Sequence, residues 1–256
     1  MAKAPPRLFV EDGLVAGQTV SLGKAHAHYL KNVLRLKVAA TVALFNGRDG
    51  EWHGTLHSTG KSQAIIELAE MICPQPDSFG PTLMFAPVKR GPIEIMVQKA
   101  TELGVMHFQP MITEFTDVVR FNGERLRATA IEAAEQCERL SVPSIEEPQP
   151  LDNILNKWPK GRRLLFAAES GIARPIAEAL GEFKDHSPPD AWTIAVGPVG
   201  GFSPAEHEVL RNLPFVVPVG LGPRLLKAET AALAALSCWQ SVLGDWENRP
   251  IDRIHQ

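Results

Sequence analysis

The segment AVGPVGGFSPAE (195–206) holds the residues best placed for chemistry. Three glycines fall within 197–201, and Ser203, Pro204 and Glu206 then have the pattern of a helix start, with an N-cap, a first-turn proline and a capping box. An apolar run precedes the glycines, so the segment is typical of a strand-to-helix turn. At the carboxyl edge of a parallel sheet such a turn can present bare backbone amides to a ligand. The alternative is that the glycines only allow a tight turn.

Several common ligand sites are excluded by spacing. A phosphate-binding GxxxxGK[ST] loop would need a lysine that 195–206 lacks, and a dinucleotide fingerprint belongs to a first strand-helix turn, whereas this one lies late in the chain. Cys73, Cys137 and Cys238 are far apart and have no zinc-ligand spacing. We therefore expect three buried thiols, no disulfide and no metal.

A second segment of the same kind follows, VPVGLGPRLLKAETAALAALSCWQ (217–240). It predicts a strand, a turn containing Gly220 and Gly222, and a helix that begins near Lys227. Two such turns after consecutive parallel strands would face the same sheet edge. Together they could enclose one ligand.

The elements that would position these turns alternate between strand and helix. Apolar runs of strand length are LMFAPV, HFQPMI, RLLFAA, TIAVGP and FVVPVG, and two segments with helical spacing of apolar residues are GPIEIMVQKATELG and GERLRATAIEAAEQCERL. Strands that are apolar throughout are typical of a parallel sheet covered on both faces. Residues 82–256 are predicted to form this α/β domain.

The N-terminal part differs. Short runs with β character, LFV, TVALFN and AIIELAE, are separated by turns, and NGRDGE predicts a hairpin. One helix is predicted at HAHYLKNVLRLK, where Leu30, Val33 and Leu34 have helical spacing. The proline-rich segment 74–81 is typical of a linker, so residues 1–73 are predicted to be a small β-rich, barrel-like domain.

Charge separates the two parts of this 256-residue chain. Residues 1–73 contain 8 Lys and Arg against 6 Asp and Glu, and the remainder contains 18 against 23. Lys24, Lys31, Arg35 and Lys37 are crowded together, which suits a phosphate-bearing partner or a solvated face. The N-terminus lacks the apolar core of a signal peptide, and no run approaches the roughly 18 apolar residues of a membrane span, so we expect a cytoplasmic protein.

Four ordered motifs resemble a known family: VKRGPIEIMVQKATELGV, IEAAEQCERLSVP, GPVGGFSPAE and LGPRLLKAET. In order and spacing they are similar to those of the ribosomal small-subunit RNA uridine-N3 methyltransferases (the RsmE family) of the SPOUT superfamily. The resemblance covers nearly the whole chain. It implies an N-terminal PUA-like RNA-binding β-barrel, a C-terminal α/β domain tied in a trefoil knot, a homodimer, and S-adenosylmethionine bound in the knot loops.

The resemblance also implies site residues. For the cofactor these are Ala168, Glu169, Gly197, Gly200, Gly201, Leu221, Gly222, Leu225 and Leu226. At two positions the chain departs from the family pattern: Val199 replaces a glutamate, and Lys227 replaces an arginine. Lysine keeps the charge but loses the bidentate geometry, whereas valine loses a carboxylate.

Methyl transfer to a uracil nitrogen needs alignment and removal of the N3 proton. We take Lys227 and Arg139 as catalytic candidates that could stabilise a uracil anion or hold a phosphate. The alternative for Arg139 is a surface ion pair with Glu135, four residues away on one helix. His207 is expected to face solvent, and Lys31, Arg35 and Lys37 are the candidates for RNA binding, with Lys31 and Arg35 four apart on the predicted N-terminal helix.

Three functions follow from these patterns. The first is methylation of a uridine N3 in 16S ribosomal RNA, and the second is an RNA-binding ribosome-assembly factor whose activity has faded. The third is a knotted enzyme that methylates another RNA or a ribose hydroxyl. The C-terminal helix carries no charge between Glu229 and Asp245 and is apolar on several faces, which favours a homodimer contact, although burial within one subunit would also explain it.

Overall fold

The computed structural model of the protein describes residues 4–117, 121–168, 173–184, 188 and 191–248. The chain divides into two compact units. The first contains residues 1–77, 134–142 and 251–256, and the second contains 78–133 and 143–250. The division falls between Asp77 and Ser78, inside the segment that the sequence predicts as a linker. The return of 134–142 to the first unit is not visible in the sequence.

The first unit is built on a five-stranded sheet. Its elements are β1 (Arg7–Phe9), β2 (Thr19–Leu22), α1 (Lys24–His28), β3 (Thr41–Phe45), β4 (Glu51–Thr59) and β5 (Ala64–Cys73). The strand order is β1-β3-β4-β5-β2, with β1 and β3 parallel and the other pairs antiparallel. The predicted hairpin joins β3 to β4, and Asn46 Oδ1 closes its turn by accepting from the backbone N–H groups of Arg48 and Asp49.

The helix predicted across HAHYLKNVLRLK is present from His26 to Val33 but is not a regular α-helix and ends before the predicted Lys37. Helix α1 has only five residues, and the chain continues as one π-helical turn from Tyr29 to Val33. Arg35 then adopts a left-handed backbone with φ of 55°, which ends any helix. Leu30 is fully buried, whereas Val33 is 58% exposed. Lys31 lies in the π-helical turn and Arg35 lies beyond it, so the two do not share a helix.

The second unit contains an eight-stranded sheet in which every pair is parallel. Its elements in chain order are β6 (Thr82–Phe85), α2 (Arg90–Glu102), β7 (His107–Ile112), α3 (Gly123–Gln136), β8 (Ser144–Ile145), β9 (Gln149–Pro150), α4 (Leu151–Asn156), β10 (Arg163–Ala167), β11 (Arg174–Pro175), α5 (Ile176–Gly181), β12 (Trp192–Val196), α6 (Pro204–Asn212), β13 (Val216–Gly220) and α7 (Ala228–Leu243). The order is β11-β13-β10-β12-β6-β7-β8, and β9 pairs with β7. The five predicted apolar runs are β6, β7, β10, β12 and β13, which confirms the predicted parallel α/β sheet.

Helix α3 is shorter than its sequence pattern predicts. It ends at Gln136, and Glu138 adopts a left-handed backbone with φ of 64°. Cys137, which was expected on the buried face, is exposed. Arg139 therefore lies beyond the helix, so Glu135 and Arg139 are not four residues apart on one helix as predicted. The Arg139 guanidinium donates to Ser141 Oγ at 3.0 Å.

Arg7 holds the segment 134–142 within the first unit. Its guanidinium pairs with Glu51 at 3.1 Å and lies 4.6 Å from the centre of the Phe45 ring. The same group donates to three backbone carbonyl oxygens, those of Ala134, Glu135 and Arg139. The side chains of Arg7 and Glu51 are 8% and 2% exposed. A buried charge pair needs such partners, because an unpaired buried charge is strongly unfavourable.

The cysteines only partly match the expectation. All three are free, but Cys73 alone is buried, Cys238 is partly buried and Cys137 is exposed. Within the described ranges, no group of three or more His, Cys, Asp or Glu residues could hold a metal ion. In the same ranges, no helix is both long enough and apolar enough to cross a membrane.

Candidate active site

The carboxyl ends of three strands lie at one edge of the parallel sheet in the second unit. The strands are β10, β12 and β13, and the strand order places β10 between the other two. The two glycine turns are therefore consecutive in the chain, after β12 and β13, but are not neighbours in the sheet. Because all three strands are parallel, their loops open on the same edge, as the sequence predicts.

The loop after β12 has the predicted helix start. Ser203 Oγ accepts from the backbone N–H of Glu206 at 3.3 Å, and Glu206 Oε2 accepts from the backbone N–H of Ser203 at 2.9 Å. Pro204 occupies the first turn of α6. Gly201 has φ of 71°, a conformation that favours glycine, and its N–H donates to the carbonyl oxygen of Pro198 at 2.9 Å.

Two glycines of this loop make room for aromatic side chains of the chain itself. A Cβ on Gly197 would lie 2.7 Å from the Phe202 ring, and a Cβ on Gly200 would lie 3.2 Å from Phe115 Cβ. Both glycines therefore have a packing role. At these two positions packing against the chain's own side chains explains the glycine without a ligand.

Phe115 belongs to a loop that the sequence did not mark as part of the site. Thr116 Oγ1 lies 2.7 Å from Thr113 Oγ1 and accepts from the Thr113 backbone N–H at 2.9 Å, so the loop is held by its own side chains. Glu206 Oε1 accepts from the Glu114 backbone N–H at 2.9 Å. Glu206 thus links the loop after β7 to the start of α6 by a hydrogen bond. Phe115, in the same loop, lies beside Gly200 and is 45% exposed.

The loop after β13 is open. Gly222 has φ of 95°, and a Cβ there would meet no atom within 4 Å. Among the residues that the structure describes, the backbone N–H groups of Gly222, Leu225 and Leu226 have no protein acceptor. Leu225 is 90% exposed. Unpaired amides beside an exposed leucine fit a ligand with hydrogen-bond acceptors and an apolar surface.

A cleft of about 800 Å³ borders both turns. Phe202 comes from the first turn and Leu225 from the second, and the rest of the lining is Pro204, His207, Glu208, Arg211 and Asn212. This volume is in the range of cofactor and substrate sites. Of the predicted cofactor residues, Leu225 alone is in this lining, and most of the wall is helix α6, so the expectation that two glycine turns enclose one ligand stays a prediction.

His207 does not simply face solvent, and that expectation is corrected. Its ring packs edge-on against Phe166 and Phe202, with centroids 5.4 Å and 5.9 Å away. Nδ1 is buried without a hydrogen-bond partner among the described residues. Burial lowers the pKa of His207 below its usual value, and the positive charge of Arg211 lowers it further, whereas Glu206 opposes the shift.

The other predicted site residues are distributed over both units. Ala168, directly after β10, is partly buried, and its N–H donates to Val219 O at 2.9 Å; Glu169 lies outside the described residues. Leu221 and Leu226 are partly exposed. Lys227 is exposed and is the N-cap residue of α7.

Arg139 lies in the first unit, whereas Lys227 lies in the second. The RNA candidates Lys31, Arg35 and Lys37 are exposed in the first unit. Among the predicted residues, the structure therefore groups Ala168 and the members of the two glycine turns at one sheet edge. A catalytic role for Arg139 stays a prediction.

Comparison with known proteins defines the class. Residues 76–240 match the model of an RNA methyltransferase domain, and residues 22–69 match an RNA methyltransferase PUA domain. A parallel sheet with ligand-presenting loops at its carboxyl edge, preceded by this β-rich domain, is the arrangement of a SPOUT-type RNA methyltransferase. The predicted fold class is confirmed.

Similar proteins identify the family within this class. Ribosomal RNA small subunit methyltransferase E of Rickettsia conorii is 34% identical over 237 residues, which cover 90% of this chain and 93% of that protein. The chain belongs to the ribosomal RNA small subunit methyltransferase E family. A solved member from Neisseria gonorrhoeae, bound to S-adenosyl methionine, is 27% identical with a TM-score of 0.81 and covers 95% of this chain and 100% of its own. A methyltransferase from Legionella pneumophila in complex with the cofactor SAM has a TM-score of 0.80, with 27% identity, and covers 93% of this chain and 98% of its own.

Proposed function

We propose that this chain transfers a methyl group from S-adenosylmethionine to N3 of a uridine in 16S ribosomal RNA. The observation that carries the proposal is the edge formed by the loops after β10, β12 and β13, in a chain of this family. S-adenosylmethionine supplies an activated methyl group, so the protein must mainly bind, align and exclude water. The enzyme would act in the cytoplasm, where its RNA substrate is found.

The loop after β13 is proposed to hold the methyl donor. The unpaired N–H groups of Gly222, Leu225 and Leu226 can meet acceptors of an adenine or ribose, and Leu225 can cover an apolar face. Ala168, Gly197, Gly200, Gly201 and Leu221 would complete the wall. Gly197 and Gly200 contribute indirectly, because the absence of a Cβ leaves room for Phe202 and Phe115 beside them. Glu169, which lies outside the described residues, is proposed as a further contact.

Lys227 is proposed to favour loss of the uracil N3 proton. As the reaction proceeds, a bond from the methyl carbon to N3 forms while its bond to sulfur breaks, and the N3 proton leaves to a base. A cation at the N-cap of α7 stabilises negative charge on the uracil, and the N-terminus of that helix adds to the effect. Arg139 is proposed to assist by holding a phosphate of the RNA.

The first unit is proposed to bind the RNA. It contains the match to an RNA methyltransferase PUA domain, and Lys31, Arg35 and Lys37 are exposed within or just beyond the π-helical turn. Phosphate contacts by such residues supply affinity without sequence preference. Selection of the target uridine would then fall to the second unit.

The decisive experiment is methylation of purified small-subunit RNA with labelled S-adenosylmethionine, followed by identification of the product nucleoside. We expect 3-methyluridine. A different base or a ribose methyl would show that the chain is a methyltransferase with another target. A matched control is the same RNA that already carries the modification, which should take up no label.

One observation favours a second candidate function. Val199 is 86% exposed at the first glycine turn and places an apolar side chain where the family pattern has a carboxylate. An RNA-binding assembly factor that has lost catalysis would tolerate this change. Calorimetry separates the two, because a chain that binds the methyl donor supports the enzyme and a chain that binds RNA alone supports the assembly factor.

A further inference from the structure

A small cavity of about 220 Å³ lies in the second unit at the amino ends of the central strands. Thr82 is the first residue of β6 and Thr193 is the second of β12, and the two are paired in the sheet register. Helix α4 and the segment 157–162 complete the wall. The loops assigned to the methyl donor follow the opposite ends of these strands. The cavity is thus separate from the candidate active site.

The lining of this cavity is mixed: Met84, Ile154, Trp158 and Pro159 are apolar, and the other seven residues are polar or charged. It contains three side-chain amides, two hydroxyls and two cations, contributed by Gln109, Gln149, Asn153, Thr82, Thr193, Lys157 and Arg162. No Asp or Glu is among its lining residues. Lys157 is exposed and has no carboxylate partner in the part of the chain that the structure describes. A wall with the exposed Lys157, several amide and hydroxyl donors and no carboxylate in its lining favours an anion.

A buried hydroxyl in the wall points to a missing partner. Thr82 is only 6% exposed, and its Oγ1 is buried with no hydrogen-bond partner among the described residues. Buried polar atoms in folded proteins are nearly always paired with protein, water or a ligand. An anion in the adjacent cavity would give this hydroxyl an acceptor.

The wall that carries the cations is held in place. Trp158 Nε1 donates to the backbone carbonyl of Arg162 at 2.8 Å, and the Trp158 ring stacks on Phe215 with centroids 4.8 Å apart and planes 7° apart. Trp158 lies between the two cations in sequence, so its packing fixes the segment that bears both. A site whose charged groups sit on a fixed segment loses less entropy when an ion binds.

We propose that this cavity binds a phosphate group. Its volume is below the roughly 300–1,000 Å³ typical of sites for larger organic ligands, which suits a small ion. A phosphate has enough acceptor oxygens for several of the amides, hydroxyls and cations at once, and more than a carboxylate offers. The group can come from free phosphate or from an RNA phosphodiester, since both present the same oxygens.

The test compares thermal unfolding of the full chain in increasing inorganic phosphate at constant ionic strength. Wild type should show a saturable rise in unfolding midpoint, because a ligand that binds only the folded state stabilises it. Lys157→Gln should need at least about tenfold more phosphate for the same rise, as expected when a charged partner is removed. Lys160→Gln is the matched control, since Lys160 is exposed nearby but does not line the cavity.

Thr82→Val provides a second, nearly isosteric variant. Without phosphate it should unfold at a higher temperature than wild type, because it removes an unpaired buried hydroxyl. With phosphate its midpoint should rise less. A Thr82→Val protein that binds phosphate as tightly as wild type would remove the hydroxyl from the site and overturn the proposal.

Two further arms identify the source of the phosphate. Displacement of phosphate by a short single-stranded RNA, but not by the matching nucleosides, would assign the site to an RNA phosphodiester. Failure of the RNA to compete would assign it to the free ion. Equal rises in wild type, Lys157→Gln and Thr82→Val would overturn the proposal, because phosphate stabilises any folded protein by exclusion from its surface.

Discussion

Leu225 is the residue whose exposure most directly suggests a ligand contact. It is 90% exposed and lies in the loop with the unpaired amides. Truncation to alanine should leave the stability of the free protein unchanged and weaken S-adenosylmethionine binding roughly tenfold, because burial of a leucine contributes about 1.5–3 kcal/mol. Isothermal titration calorimetry measures the change.

The control for Leu225→Ala is Val15→Ala, which truncates another exposed apolar residue, 63% exposed in the first unit. Its donor affinity should equal that of wild type. Equal affinity of Leu225→Ala and wild type would place the donor elsewhere. A Gly200→Val variant would be a less clear test, because the valine would crowd Phe115 as well as any ligand, and a loss of binding could come from either contact.

His207 should make stability depend on pH. Because burial lowers its pKa from the usual 6.5, the unfolded chain binds this proton more readily than the folded chain. The contribution to stability is therefore complete above about pH 6.5 and is lost as the pH falls towards the folded-state pKa. His207→Phe keeps a ring between Phe166 and Phe202 and removes the titration.

Denaturant unfolding at several pH values between 7.5 and 5 tests this expectation. The free energy of unfolding of His207→Phe should fall less steeply with decreasing pH than that of wild type. His26 and His107, whose pKa values burial also lowers, are present in both proteins and cancel in the comparison. A His28→Phe control, at an exposed position of α1, should retain the wild-type slope. Parallel curves for wild type and His207→Phe would contradict the assignment.

Among the elements, the irregular segment after α1 is the proposed RNA contact. Lys31 lies in the π-helical turn and Lys37 beyond it, and both are exposed. Replacing both by glutamine should weaken binding to small-subunit RNA and lower the slope of log K against log salt by roughly one unit per lost phosphate contact. Arg35 is left intact because its left-handed backbone would confuse the result.

Filter binding over a range of salt concentrations gives the slope. Lys61→Gln changes the same residue type on another exposed position of the first unit and should leave the slope unchanged. If the double variant has the wild-type slope, these lysines belong to a solvated surface and another part of the chain binds the RNA.

Elements that are determined by residues close together in sequence could be predicted, whereas those that depend on distant contacts could not. The five apolar strands of the second unit were recognisable because burial on both faces excludes polar residues. Strand β2 was missed, and β4 was implied only as the second arm of the hairpin, since TVSL and EWHGTLHST bury only some of their residues and carry no apolar run. Left-handed residues follow both the π-helical turn after α1 and helix α3, at Arg35 and Glu138, and the sequence has no glycine signal at either position.

In the candidate site, too, only contacts between residues close in sequence could be predicted. The helix cap of Ser203 and Glu206 uses neighbours in sequence and was predictable. The contact of Glu206 with Glu114 joins residues 92 positions apart, and no local pattern announces it. Phe115 and the buried hydroxyl of Thr82 were likewise visible only once the sheet was assembled.

At the scale of the whole molecule, α7 is the proposed subunit contact. Its buried face includes Ala232, Ala235, Leu236 and Trp239, so part of the helix is covered by its own chain. Seven other residues of the helix form a stripe at helical spacing. They are exposed or partly exposed and carry no charge: Thr230, Leu233, Ala234, Ser237, Cys238, Ser241 and Val242. An uncharged stripe of small and apolar residues suits a second copy of the chain.

Light scattering at low micromolar concentration should give twice the 28.0 kDa chain mass. Leu233→Arg, in the middle of the stripe, should give a monomer and lower methylation activity. Val209→Arg on α6, 53% exposed, is the control and should remain a dimer. A monomeric wild type with full activity would end the proposal.

The Arg7 anchor has a consequence for synthesis of the chain. Its partners are Glu51 and the carbonyl oxygens of residues 134–139, so the first unit is complete only after the ribosome has made much of the second. At about 5–20 residues per second, the wait between Glu51 and Arg139 is roughly 5–20 s, during which the arginine has only part of its final surroundings. We therefore expect the N-terminal sheet to be least stable during this interval, and a chaperone that binds it then would protect it most. Hydrogen exchange should show weaker protection of β1 and β3 in a fragment of residues 1–77 than in the whole chain.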